Sequence, residues 1–131
     1  MKKTEKRVKN LKGEWGITQQ KRKVTSRVRE KDVIQACLGY LNSAGYWCWR
    51  NNSGVMFKEY KGKQQMIRLG PQGMPDIAII MDDGRMVWVE CKRPDASRLR
   101  PSQESWRIRA TSRGHRYIVA TCVCDLLTNG L

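Results

Sequence analysis

Histidine is almost absent: His115 is the single one, which excludes a metal centre built on imidazoles. It follows Gly114 at the expected end of a helix and reads as an ordinary C-terminal cation. Cys-x-x-Cys pairs are missing too. The five cysteines (Cys37, Cys48, Cys91, Cys122 and Cys124) form an odd set that indicates neither a zinc site nor a disulfide framework. Cys48 and Cys91 sit in apolar, strand-like runs and read as small buried hydrophobes. No stretch approaches the roughly 18 apolar residues of a membrane span. The N-terminus is basic but has no apolar segment of a secretory signal, so the expected address is cytoplasmic, with no membrane partner.

Negative charge is scarce as well. The chain carries 26 Lys and Arg against 12 Asp and Glu, a formal net charge of +14. Residues 1–29 hold 11 of the basic residues and only Glu5 and Glu14, a local net of +9. Such an excess favours an anionic polymer, because each neutralised phosphate releases a condensed counterion. A solvated basic tail, a ribosome-associated protein and a membrane-surface protein also fit the charge alone, with nucleic acid the favoured partner.

What is present suffices for one domain of 131 residues, 40% of them hydrophobic, with five tryptophans. Residues 1–25 show no sustained apolar period and read as a basic arm joined to a domain spanning 26–131. From Ser26 the pattern is helical: Glu30, Val33, Ile34, Cys37, Leu38 and Leu41 fall on one face of a 3.6-residue period. Gly45 is the expected stop. Glu30 opens this apolar stripe with a carboxylate, which on a first turn merely suits the helix dipole.

Tyr46–Arg50 reads as a strand and Asn51-Asn52-Ser53-Gly54 as a turn. Val55–Tyr60 and Gln65–Leu69 form a hairpin around Lys61-Gly62, followed by a stiff Gly- and Pro-rich loop up to Pro75. Strands Asp76–Met81 and Arg85–Cys91 are split by Asp82-Asp83-Gly84. Pro101 starts a helix running to about Arg113, Tyr117–Val123 is a last strand, and the final residues form a short helix. That order packs as an α/β fold, a mixed central sheet flanked by helices.

The informative region is Gly73-Met74-Pro75-Asp76, thirteen residues, then Glu90-Cys91-Lys92. A three-residue Asp82-Asp83-Gly84 loop, with Gly84 left-handed, pairs Met81 with Arg85 and sets Asp76 opposite Glu90. Glu90 and Lys92, two apart, share that face. A two-residue Asp83-Gly84 turn would instead set Asp76 opposite Cys91. Two carboxylates about 5 Å apart at Cβ repel unless a cation sits between them. Mg²⁺, held by one or two carboxylates plus phosphate oxygens and water, suits such a pair. The competing reading is a surface salt bridge between Glu90 and Lys92 beside an unrelated aspartate. Against it, two apolar strands (Ile-Ala-Ile-Ile and Met-Val-Trp-Val) deliver these charges to one sheet end, beside a conformationally fixed turn.

Gly73-x-Pro75-Asp76…Glu90-x-Lys92 resembles the PD-(D/E)XK nuclease signature, and its surroundings resemble the virus-type replication-repair nuclease (VRR-NUC) domain. The likeness is to small stand-alone phage and bacterial members and runs from Ser26 to the C-terminus. It consists of the Glu-led first helix, an aromatic strand ending in Arg-Asn-Asn-Ser-Gly, the Gly-x-Pro-Asp turn, Glu-x-Lys-Arg-Pro, and a Pro-x-Gln helix.

The resemblance implies a restriction-endonuclease-like core and metal-dependent cleavage of DNA with Mg²⁺ or Mn²⁺. It makes Asp76, Glu90, Glu30 and the Cys91 backbone carbonyl metal ligands, and Lys92 the catalytic lysine. Gln103 would position the scissile phosphate or the lysine. Arg50, Asn52 and Ser53 form a DNA-facing turn. Arg93, Arg98 and Arg100 follow the lysine, and Arg107 lies one helical turn after Gln103; these read as phosphate clamps. Arg109, Arg113 and Arg116 read as solvent-facing.

The implied substrate is branched DNA such as a four-way junction, and the lack of a base-reading recognition helix or zinc finger agrees with that. Two symmetric incisions from a chain with one site imply a homodimer. The alternative is a non-catalytic nucleic-acid-binding protein on a nuclease-like fold.

Overall fold

The computed structural model describes residues 6–9, 15–18 and 27–131. Within the basic arm, β1 (Lys6–Lys9) pairs antiparallel with β2 (Trp15–Thr18). The rest of the arm, including its junction near Ser26, lies outside the described residues.

The apolar stripe forms α1 (Glu30–Ser43), which buries Val33, Ile34, Cys37 and Leu41. The chain then enters β3 (Trp47–Arg50) and the hairpin of β4 (Val55–Tyr60) and β5 (Lys63–Arg68). Lys61 and Gly62 both have positive φ (50° and 74°), the geometry of a two-residue hairpin turn that matches strand twist. The second strand therefore begins at Lys63, earlier than the apolar pattern predicts. Every residue of this hairpin is exposed.

Next come β6 (Ile77–Ile80), β7 (Met86–Cys91), α2 (Pro101–Thr111), β8 (Arg116–Ala120) and α3 (Val123–Thr128). Four of these strands form one sheet in the order β3-β6-β7-β8. The first two pairings are antiparallel and β7–β8 is parallel, so the sheet is mixed as expected.

The core lies between this sheet and α1. Ile77, Ile79, Val87, Val89, Cys91, Ile118 and Ala120 face Val33, Ile34, Cys37 and Leu41, with Leu126 and Leu131 closing one end. The alternate residues Ala78, Trp88 and Glu90 therefore face the other side, where Trp106 of α2 meets Trp88.

Three sequence expectations are corrected here. The last strand stops at Ala120 rather than Val123 because the Asp125 carboxylate accepts hydrogen bonds from the Thr121 amide (2.7 Å) and hydroxyl (3.0 Å), turning the chain into α3. At that corner Cys122 and Cys124 are joined by a disulfide. Cysteines two apart are too close to suggest a framework bridge, but the strand-to-helix bend folds them onto each other. His115 is not free at the helix end: its Nδ1 accepts a hydrogen bond from the Met86 amide at 3.1 Å.

Candidate active site

The β6–β7 hairpin decides whether the signature residues meet. Met81 N–H bonds Arg85 O (2.9 Å), Gly84 N–H bonds Met81 O (2.9 Å), and Gly84 has φ +81°. This is the three-residue loop. Ile77 pairs with Val89 and Ile80 with Met86, a register that places Asp76 opposite Glu90. The carboxylate oxygens of Asp76, Glu90 and Glu30 all approach within 4.8 Å of one another. Glu30, first residue of α1, thus meets both expectations: it sits where a helix N-terminus favours an anion and it joins the cluster.

Each group is held by named partners. Asp76 Oδ2 accepts the Cys91 amide at 2.8 Å. Lys92 Nζ lies 3.1 Å from Glu90 Oε1 and donates to Gln103 Oε1 at 3.0 Å. Gln103 Nε2 donates to Glu90 Oε1 at 2.6 Å, and Gln103 Oε1 also accepts the Arg100 amide at 2.8 Å. One glutamine amide therefore bridges the carboxylate and the ammonium. Only this orientation works, since a flipped amide would aim its oxygen at the carboxylate and its N–H groups at the lysine. Glu90 and Lys92 are only 2% and 4% exposed, so the competing reading of a surface salt bridge does not hold.

The electrostatics are those of a site short of positive charge. Burial, then the Asp76 charge, raise the Glu90 carboxyl to about 7 despite the nearby lysine. Burial also raises Asp76, against the lowering effect of the Cys91 amide. Among the described residues the buried Glu90 Oε2 has no hydrogen-bond partner, whereas buried polar atoms are normally paired. Three converging carboxylates, one with an unpartnered oxygen, fit a hard divalent cation.

Loop 70–75 brings Asp76 to this place through a contact only glycine permits. Gly73 has φ +81°, and a Cβ there would sit 2.3 Å from Ser102 O on the first turn of α2. Gly73→Ala is expected to push the loop off α2 and separate Asp76 from Gln103. Adopting the left-handed conformation alone costs about 1–3 kcal/mol. A lowered melting temperature together with lost cleavage would show this; a wild-type melt would remove the argument.

Two site residues escape the sequence. Asn51 donates from Nδ2 to Pro75 O (3.0 Å), its amide bonds Asp76 O (2.8 Å), and its Oδ1 accepts Trp49 Nε1 (2.9 Å). It clamps the Pro75–Asp76 peptide from a strand end 24 residues earlier in the chain. The polar turn after β3 is its visible signal, although residue type alone points that turn outward. Tyr117 has a buried hydroxyl with no partner among the described residues; burial and the charges of Glu90 and Asp76 push that hydroxyl up. Nothing in an apolar strand distinguishes it.

The other residues expected at a DNA-facing surface lie outside the carboxylate cluster. Arg50, Asn52, Ser53, Arg98 and Arg100 are exposed. Arg93 faces Asp95 at 3.5 Å, and Arg107 is paired with Glu104, one turn away from Gln103.

The comparisons with known proteins agree with this architecture. A search of curated proteins gives no match. A solved structure described as a VRR_NUC domain superposes with a TM-score of 0.52 at 19% identity, covering 79% of this chain and 98% of that one; at that identity it speaks for the fold. The VRR-NUC domain profile matches residues 30–123, from the first site carboxylate through the last strand of the sheet. The chain belongs to the VRR-NUC domain family of nucleases.

Proposed function

We propose that this protein is a Mg²⁺- or Mn²⁺-dependent endonuclease that hydrolyses DNA phosphodiester bonds and prefers branched DNA such as a four-way junction. The observation that carries the reading is the convergence of Glu30, Asp76 and Glu90 beside a buried lysine held by Gln103. Asp76, Glu90, Glu30 and the Cys91 carbonyl would hold the cation. Once bound, it supplies polarisation of the phosphoryl group and acidification of a water nucleophile.

The chain's own groups do the rest. Lys92 has three donors; two are directed by Glu90 and Gln103, leaving one to orient the attacking water or to stabilise charge on the phosphate. Gln103 keeps the ammonium from collapsing fully onto Glu90. Arg50, Asn52, Ser53, Arg93, Arg98 and Arg100 supply donors for the flanking backbone, and Arg107 does so if DNA displaces Glu104 from it. Junction resolution requires two such sites, hence a two-fold dimer. The exposed Phe57, Tyr60 and Met66 of the β4–β5 hairpin are available to such a contact.

Incubation with duplex, flap and four-way-junction DNA in Mg²⁺, Mn²⁺ or EDTA tests the proposal. Incision is expected only with metal and fastest on branched substrates. Binding without incision under every condition would favour the non-catalytic alternative.

Residues 1–25 act in this reading as a separable electrostatic arm. Their removal is expected to leave residues 26–131 folded, lower DNA affinity and flatten its dependence on salt, because fewer counterions are released. An unchanged salt slope, or an unfolded truncation product, would make the arm structural.

A further inference from the structure

The sheet face that carries the carboxylates continues past them. Trp88 lies two residues before Glu90 on β7, on the same face and about 7 Å along the strand. It meets Trp106 of α2 edge to face, with ring centroids 5.3 Å apart and an interplanar angle of 77°. In that geometry one ring offers the other its edge, so this contact leaves its own faces unused. Pro71, Arg109, Arg113 and His115 complete an open cleft of about 380 Å³.

The chemistry of these walls is specific. Their exposed surface is almost wholly apolar, the two indoles lie beside the cationic side chains Arg109 and Arg113, and among the described residues no carboxylate lines them. Among the described residues neither Arg109 nor Arg113 is in a salt bridge; Arg113 is steered by the Arg109 carbonyl at 2.8 Å. His115 is fixed through its Nδ1. An apolar metabolite would leave the two cations without use, and a simple anion would leave the two indoles without use. A group with a flat π face attached to a phosphate satisfies both. Unpaired bases stack on aromatic side chains and on arginine planes in this way.

We infer that the Trp88–Trp106 cleft receives one unpaired nucleobase of the DNA, adjoining the phosphate held at Asp76 and Glu90. The inference rests on DNA being the substrate. It also supplies a physical origin for structure selectivity. A base inside an intact duplex has both faces stacked on its neighbours and cannot enter, whereas a base at a flap, fork or junction can. Selection would come from the availability of an unstacked base and not from its identity, because every base offers a π face.

The test uses the full chain in EDTA, so that binding is read without cutting. A 2-aminopurine placed at the unpaired position beside the branch of a flap is expected to lose fluorescence on binding, and the same base within a duplex is not. Trp106→Leu keeps a smaller apolar side chain against Trp88 but has no π face. It should abolish this quenching and weaken flap binding by about fivefold or more, with duplex affinity unchanged. Trp106→Phe should restore most of both.

Quenching and flap affinity that survive Trp106→Leu in a protein that melts normally would overturn the inference, as would equal weakening of flap and duplex. The cationic wall is checked independently by Arg109→Gln, an exposed position whose change spares the packing. It should lower the flap-to-duplex affinity ratio, and an unchanged ratio would count against the cleft. Absent incision in Mg²⁺ with the quenching pattern intact would sink the nuclease reading and leave the cleft standing; normal incision with no quenching would do the reverse.

Discussion

Lys92→Ala is expected to reduce cleavage about 10²- to 10³-fold or more while changing DNA affinity little. The reason is where the ammonium sits. It is 4% exposed and engaged by Glu90 and Gln103, so in the proposed reading it would meet DNA only at the reacting phosphate. Arg50, Arg98 and Arg100, proposed to contact the DNA backbone, are exposed and untouched in the variant. Removing one partner of a buried ion pair normally threatens the fold. Here Glu90 already has a carboxyl near 7 and can take up a proton, so the variant should fold. Lys92→Met, which retains more of the buried volume, provides the control. Single-turnover cleavage and binding in EDTA, measured side by side, check the result. Near-normal turnover in a folded Lys92→Met protein would remove the lysine from the chemistry.

Glu90→Gln should lose activity to a similar or greater extent and yet gain stability without metal. Its folded carboxyl is raised to about 7 from an ordinary 4.5, first by burial and then by the Asp76 charge. The native state therefore binds this proton more tightly than the unfolded chain does. The sign follows: metal-free wild-type stability associated with Glu90 is full below about 4.5 and is lost as pH rises through about 7. Asp76, also raised by burial, acts in the same direction.

Glutamine holds no such charge and keeps an oxygen for Lys92 and Gln103. At pH 8 in EDTA the variant should exceed wild type by on the order of 2–3 kcal/mol, with the gap closing toward about pH 4.5. Mg²⁺ or Mn²⁺ should then raise the wild-type melting temperature, since a ligand that binds only the native state stabilises it, and should leave the variant's unchanged. Thermal melts across this pH range with and without metal give the answer. Equal metal response in both proteins would take Glu90 out of the metal site.

Asp76 and Glu90 meet at one end of a hairpin whose two strands and turn the sequence already shows. Asp82-Asp83-Gly84 allows a three-residue loop that sets Asp76 opposite Glu90 or a two-residue turn that sets it opposite Cys91, both with Gly84 at positive φ, and the Met81–Arg85 pairing of the folded hairpin selects the first. Alternation along β7 then puts Lys92 beside Glu90. The apolar stripe of α1 and the order of elements similarly determine the mixed sheet. These are local rules with a period of two or 3.6 residues, and they act within one hairpin or one helix.

What lies between elements distant in the chain is decided by tertiary structure. That Gln103 bridges Glu90 and Lys92 depends on how α2 crosses the sheet face, and that crossing depends on Gly73 touching Ser102. Asn51 has the residue type of an outward turn, and only the pairing of β3 with β6 makes it a clamp on Pro75 and Asp76. Arg109 and Arg113 have the spacing of solvent cations, and only the meeting of Trp106 with Trp88 across two layers gives them a shared cleft. Hydrogen-bond geometry and side-chain packing over long separations leave no periodic trace in a single sequence, so residue type and spacing name the carboxylates and the lysine, and only the folded chain supplies the groups that hold them.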